Sequence, residues 1–119
     1  MVFYRHQARQ DLQDIFDGLL QWKTKNGHIH MDYLAVVNYV GDIRAACESL
    51  AGITFHLLTK YIDHQQYGNY VVRYKRTRRT TWYIIYNIQG NDFFIEKIMN
   101  NYQTLSEIKD PKTFETFET

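Results

Sequence analysis

From residue 8 onward, apolar residues recur at steps of three and four: Ala8, Leu12, Ile15, Phe16, Leu19 and Leu20 share one side of a helical wheel. That is the pattern of an amphipathic helix with one buried face. Asn26-Gly27 then supplies the left-handed stop that ends many helices. A second stripe, Leu34, Val37, Tyr39, Val40, Ile43, Cys47 and Leu50, predicts a second helix capped at Gly52. The connection is short, so the two are expected to pack as an antiparallel hairpin. Gly18, inside the first pattern, is expected to permit close helix packing.

Elsewhere the pattern favours strands. "VFYRH" at 2–6 reads as a short strand, and 70–76, 80–88 and 93–99 as three more; "QGND" between the last two is a hairpin signal built on Gly90-Asn91. Residues 53–69 have no clean period and read as a connection with some extended structure. The order predicts an α+β domain over 1–102, with a polar tail at 103–119. In it an N-terminal strand precedes a two-helix antiparallel hairpin packed on an antiparallel sheet that ends in a three-stranded meander. Nothing remains to cover the sheet's other face. Along 70–76, alternation gives Tyr70, Val72, Tyr74 and Arg76 to one face and Val71, Arg73 and Lys75 to the other. The second set predicts an open, cationic face.

Charge sharpens that picture. The net charge is only +1, yet Arg73, Lys75, Arg76, Arg78 and Arg79 fill five of the seven positions 73–79. Like charges on adjacent strands repel, so the sheet gains nothing from them and an external ligand is indicated. With 119 residues, 45% of them hydrophobic and 23% charged, the chain has the make-up of one soluble domain. The single cysteine, Cys47, has no internal disulfide partner and falls in an apolar helical pattern, which suits core packing in a reducing cytoplasm. No apolar run reaches the length of about 18 residues that a span needs, and no basic-then-apolar leader follows Met1, so a cytoplasmic location is expected. His28, His30 and Asp32 match no standard zinc spacing, and no Gly-rich phosphate loop is present, so neither metal nor cofactor is expected. Of the histidines, His64 alone is near enough in sequence to the cationic face to serve in proton transfer.

Three stretches carry a family resemblance. "ARQDLQDI", with Ala8, Asp11, Leu12 and Ile15, is similar to the first-helix A-x-x-D-L-x-x-I signature of the RelE/ParE superfamily of bacterial type II toxins. "YVVRYKRTRRTTWYIIYNI" resembles that superfamily's central hairpin, and "FFIEKIMNNY" its last core strand and exit, so that the likeness extends over roughly residues 2–102. The resemblance implies a bacterial cytoplasmic toxin neutralised by a cognate antitoxin, with one of two activities. RelE-like members cut mRNA on the ribosome without metal, using basic residues and often a tyrosine or histidine near the chain's end. ParE-like members poison DNA gyrase. For mRNA cleavage the resemblance implies catalytic roles for Arg73, Lys75, Tyr83 and Tyr102, with Arg76, Arg78 and Arg79 binding nucleic acid. The family's arginine on the following strand is replaced here by Tyr83, and the one after the last strand by Asn100 or Asn101. Cleavage of mRNA is the expectation drawn from the resemblance, and the replaced arginines leave gyrase inhibition and a catalytically inactive, antitoxin- or protein-binding relative as alternatives.

Overall fold

The structure, a computed structural model, describes residues 1–21 and 32–101. Strand β1 (Val2–Tyr4) leads into helix α1 (His6–Gln21), and helix α2 (Tyr33–Glu48) runs on into a tighter 3-10 turn at Ser49–Gly52. There follow β2 (Leu57–Leu58), the one-turn helix α3 (Ile62–Gln65), and the longer strands β3 (Tyr70–Lys75), β4 (Thr81–Gln89) and β5 (Asp92–Asn100). All five strands form one sheet in the order β1-β5-β4-β3-β2. An α+β chain of one strand, two helices and a β3-β4-β5 meander is what the sequence pattern predicts. The helix stop at Asn26-Gly27, the pair His28 and His30, Tyr102 and the tail 103–119 lie outside the described residues.

The sheet itself differs from the expectation of an antiparallel one. β1 runs parallel to β5, with Val2 opposite Phe93 and Tyr4 opposite Ile95, so the sheet is mixed. Nearly the whole chain separates these two strands, and no tight turn dictates their relative direction. Beyond Ile95 β1 has ended, and α1 takes over the exposed edge of β5. Asp11 Oδ2 accepts the backbone N–H of Ile98 at 2.9 Å, while its Oδ1 accepts from Lys97 Nζ at 3.0 Å. At the other end of β5, Gly90 has φ +61°, the left-handed value that the first position of a two-residue hairpin requires and glycine adopts without strain.

Both helices lie on one side of the sheet. Ala8, Ile15, Ile43, Cys47 and Leu50 pack there against Trp82, Ile84, Tyr86, Ile95 and Ile98. Cys47 is a packing residue in this core, and burial pushes its thiol up to about 12. Asp32 caps α2 by accepting the Ala35 N–H at 2.8 Å. Ile43, Cys47 and Leu50 are buried as the predicted stripe has them, with Tyr39 and Val40 packed against the core, but the first turns of α2 differ: Val36 is fully buried, whereas Leu34 is 67% exposed and Val37 also faces outward. In "LAVVNYV" (34–40) nearly every position is apolar, so periodicity leaves the phase of the stripe open. Space around Gly18 is open, and a Cβ there would meet nothing within 4 Å, which removes the close-packing role expected of it. No helix among the described residues is long and apolar enough to cross a membrane.

The sheet's second face is covered in part, contrary to the expectation that nothing remained for it. Residues 59–68 fold back across it, bringing Tyr61 and Tyr67 onto Val71, Tyr83, Ile85 and Met99. Thr59 closes this loop: its Oγ1 donates to Gly68 O at 2.9 Å, and its N–H donates to Asn69 O at 2.9 Å. At Gly68 the backbone lies so near the sheet that a Cβ would fall 3.0 Å from Ile85 Cγ2 and 3.1 Å from Tyr86 O.

Candidate active site

Alternation along β3 sends Val71, Arg73 and Lys75 to the face away from α1 and α2. In register with β4, Arg73 stands opposite Tyr83, Val71 opposite Ile85, and Lys75 opposite Thr81. The predicted pairing of Arg73 and Lys75 on one face therefore holds. Both are exposed, and among the described residues neither has an ion-pair partner.

The folded-back loop turns this surface into a site. Its short helix places Tyr61 and His64 against Tyr83, with the Tyr61 and His64 rings perpendicular at 5.4 Å and the His64 and Tyr83 rings tilted at 4.9 Å. A depression of about 220 Å³ opens beside them, lined by Leu57, Leu58, Lys60, Tyr61, His64, Val71, Arg73 and Tyr83. His64 is only 1% exposed, and burial pushes its imidazole down to about 4. It is therefore neutral at pH 7. Lys60 carries its ammonium 5.3 Å from the centre of the Tyr61 ring, on the same rim as Arg73. The arrangement joins apolar walls, two aromatic rings, a neutral histidine and cations at the margin, a combination suited to an anion bearing a flat group.

The remaining candidates divide. Arg76 lies on the helix side, where its Nη1 pairs with Asp42 Oδ2 at 3.1 Å and its guanidinium sits 4.1 Å from the centre of the Tyr39 ring. Tyr39 in turn accepts a hydrogen bond from Trp82 Nε1 at 3.1 Å, so Arg76 fastens the hairpin to α2. Arg78 and Arg79 are exposed at the hairpin tip. That tip is ordered by its own side chains. Thr77 Oγ1 accepts the N–H groups of Arg79 and Thr80 at 3.3 and 3.1 Å, and Asn101 joins the Thr81 N–H at 3.0 Å to the Arg79 carbonyl at 3.0 Å. Tyr102 lies outside the described residues. Among the described residues no three His, Cys, Asp or Glu side chains are grouped as metal ligands would be.

Sequence reasoning missed Lys60 and Tyr61 as parts of the site. A signal was available in the three-residue spacing of Tyr61, His64 and Tyr67, which puts three rings on one side of a tight helical turn. No family model, no curated protein and no solved structure matches this chain.

Proposed function

We propose that the chain is a RelE/ParE-like toxin of a bacterial type II toxin–antitoxin pair, one that stops translation by cutting mRNA without a metal ion. One observation carries this reading: Arg73 and Tyr83 stand opposite each other in register, beside a depression that Tyr61, His64 and Lys60 also line. Cleavage by the RNA's own 2′-hydroxyl needs a proton acceptor, positive charge for the phosphorane and a donor for the departing 5′-oxygen. Arg73 supplies the charge, in a planar fork that matches two phosphate oxygens, and Lys60 and Lys75 flank it. The Tyr83 hydroxyl and the neutral His64 imidazole are the groups that move protons. Tyr61 offers a ring for an unstacked base. The order of elements, one strand followed by two helices and a closing meander, agrees with the resemblance drawn from the sequence.

A second reading takes its support from the end of β5. Asn100 and Asn101 bring no cation there, and Asn101 is occupied in holding the basic loop. That favours a toxin that binds its target without cleaving it, in the manner of a ParE-like gyrase inhibitor. Induction of the chain in bacterial cells without its antitoxin separates the two. Early loss of protein synthesis with cleaved transcripts is the expected result, whereas lost DNA supercoiling over intact mRNA transfers the assignment to gyrase. Normal growth with abundant folded protein sinks both and leaves a binding relative.

A further inference from the structure

We propose that the outward faces of α1 and α2 join two copies of this chain in a two-fold dimer. Both helices lie on the side of the sheet away from Arg73 and Tyr83, so the dimer leaves that face open and stands apart from the proposed cleavage.

Helix α2 is apolar on two sides. Its inner stripe, Val36, Ile43 and Cys47, is buried in the core. A helix with one buried stripe ordinarily carries polar residues opposite it. Here Leu34, Val37, Gly41 and Ala45 occupy much of the opposite side, and all four are exposed. Tyr33, also exposed, meets the Phe16 ring edge-on at 5.8 Å, which carries the apolar surface across to α1. A Cβ at Gly41 would meet nothing within 4 Å, so the surface is low there and a second backbone can come close.

Charge on α1 selects the occupant. Arg9, Gln13 and Asp17 follow one another at four-residue steps along its exposed side. Among the described residues neither Arg9 nor Asp17 has an ion-pair partner, and Asp17 is held by the Gln13 amide at 2.9 Å. Gln13 and Val40 line the same hollow between the helices, so Gln13 and Gly41 lie at about one level. A two-fold axis crossing the helices at that level sets each helix antiparallel to its own copy. Arg9 then meets Asp17 of the second copy, and by symmetry the pair forms twice. On α2, Val37 meets Ala45 of the second copy, large against small, and the two Gly41 residues face each other across the axis. A foreign partner of one sign would leave either Arg9 and Arg44 or Asp17 and Glu48 against like charge, whereas a reversed copy matches Arg9 with Asp17.

The face is large enough. Two helices of 16 residues give a surface about 24 Å long and about 20 Å across, so the pair covers about 1,000 Å², where specific interfaces begin.

The test is analytical ultracentrifugation of the full chain over a dilution series, which should find a reversible equilibrium between one chain and two. Arg9→Asp and Asp17→Arg each bring like charges together twice, and each should weaken dimerisation about tenfold or more. Both substitutions suit the dipole of α1, an acid near its start and a base near its end, so lost association is not lost folding. The double variant restores opposite charges in reversed order and should recover most of the parent's affinity. Gly41→Gln is the independent probe. Glutamine is the better helix former, so the chain keeps its fold, while its side chain props the two backbones apart and should abolish the dimer. Circular dichroism checks the helix content of every variant. A chain that stays single at its highest attainable concentration overturns the proposal. So does a dimer indifferent to either charge reversal or to Gly41→Gln, or a double variant no better than the single ones.

Discussion

Arg73 is the residue on which the candidate site turns, and its surroundings separate activity from stability. It is exposed and, among the described residues, without an ion pair, so truncation removes little from the fold. Arg73→Ala should lower RNA cleavage about a hundredfold, on the order of 3 kcal/mol of transition-state stabilisation, while the melting temperature stays put. Single-turnover cleavage assays beside melting curves check this; full activity in a folded variant would move the chemistry elsewhere. His64 makes the opposite kind of prediction. Its folded value, about 4, lies below the ordinary 6.5, so below pH 6.5 the unfolded chain binds a proton that the folded chain refuses. This contribution is complete above pH 6.5 and declines as pH falls toward 4, by about 3 kcal/mol at most. In urea titrations at several pH values, His64→Phe should therefore lose less stability on acidification than the parent chain. Alternation alone assigned Arg73 and Arg76 to opposite faces. It left the fate of Arg76 open, because Asp42 and Tyr39 reach it only through packing of α2.

Among the elements, legibility followed length. The long strands and both long helices announced themselves by period, whereas β2 and α3 span two and four residues and owe their form to the sheet, β2 by pairing with β3 and α3 by packing against its face. No local pattern encodes a strand of two residues. Gly68 reveals how closely that segment is pressed down: Gly68→Ala would drive a Cβ toward Ile85 and the Tyr86 carbonyl, a backbone atom with little room to yield. The expected cost is about 1–3 kcal/mol, with the site disturbed along with the loop. Chemical denaturation gives the energy, and the fluorescence of Tyr and Trp reports the altered packing. Asp11 joins α1 to the edge of β5 in a comparable way. Asp11→Ala strands the Ile98 N–H and the Lys97 ammonium, and should cost about 3 kcal/mol or more. Asp11→Asn retains a hydrogen-bond acceptor and should cost less. Equal losses from the two substitutions would show that the contribution lies in the carboxylate's charge, since Asn keeps its shape and one acceptor.

Across the whole molecule, positive charge is segregated rather than abundant, and that has a measurable signature. A net charge of +1 gives no general attraction for nucleic acid, so the RNA binding proposed above requires the few cations gathered near one end of the sheet. Each phosphate contact to a single strand contributes about −0.7 to the slope of log affinity against log salt concentration. Arg78 and Arg79 stand exposed on a tip held in place by Thr77 and Asn101, ready to meet a backbone. Replacing both with Ala should make the slope shallower by about 1.4, if each contacts one phosphate, and weaken binding much the same for any RNA sequence. Arg76 provides the internal control. Its charge is committed to Asp42 and its plane to Tyr39, so Arg76→Ala should leave the slope unchanged and lower the melting temperature through the loosened hairpin. Fluorescence anisotropy of a labelled single-stranded RNA, from about 50 to about 200 mM salt, reads both outcomes. A slope that Arg76→Ala alters and the tip variant does not would reverse the assignment, placing the RNA on the helix side of the hairpin and leaving the tip arginines as solvated turn residues.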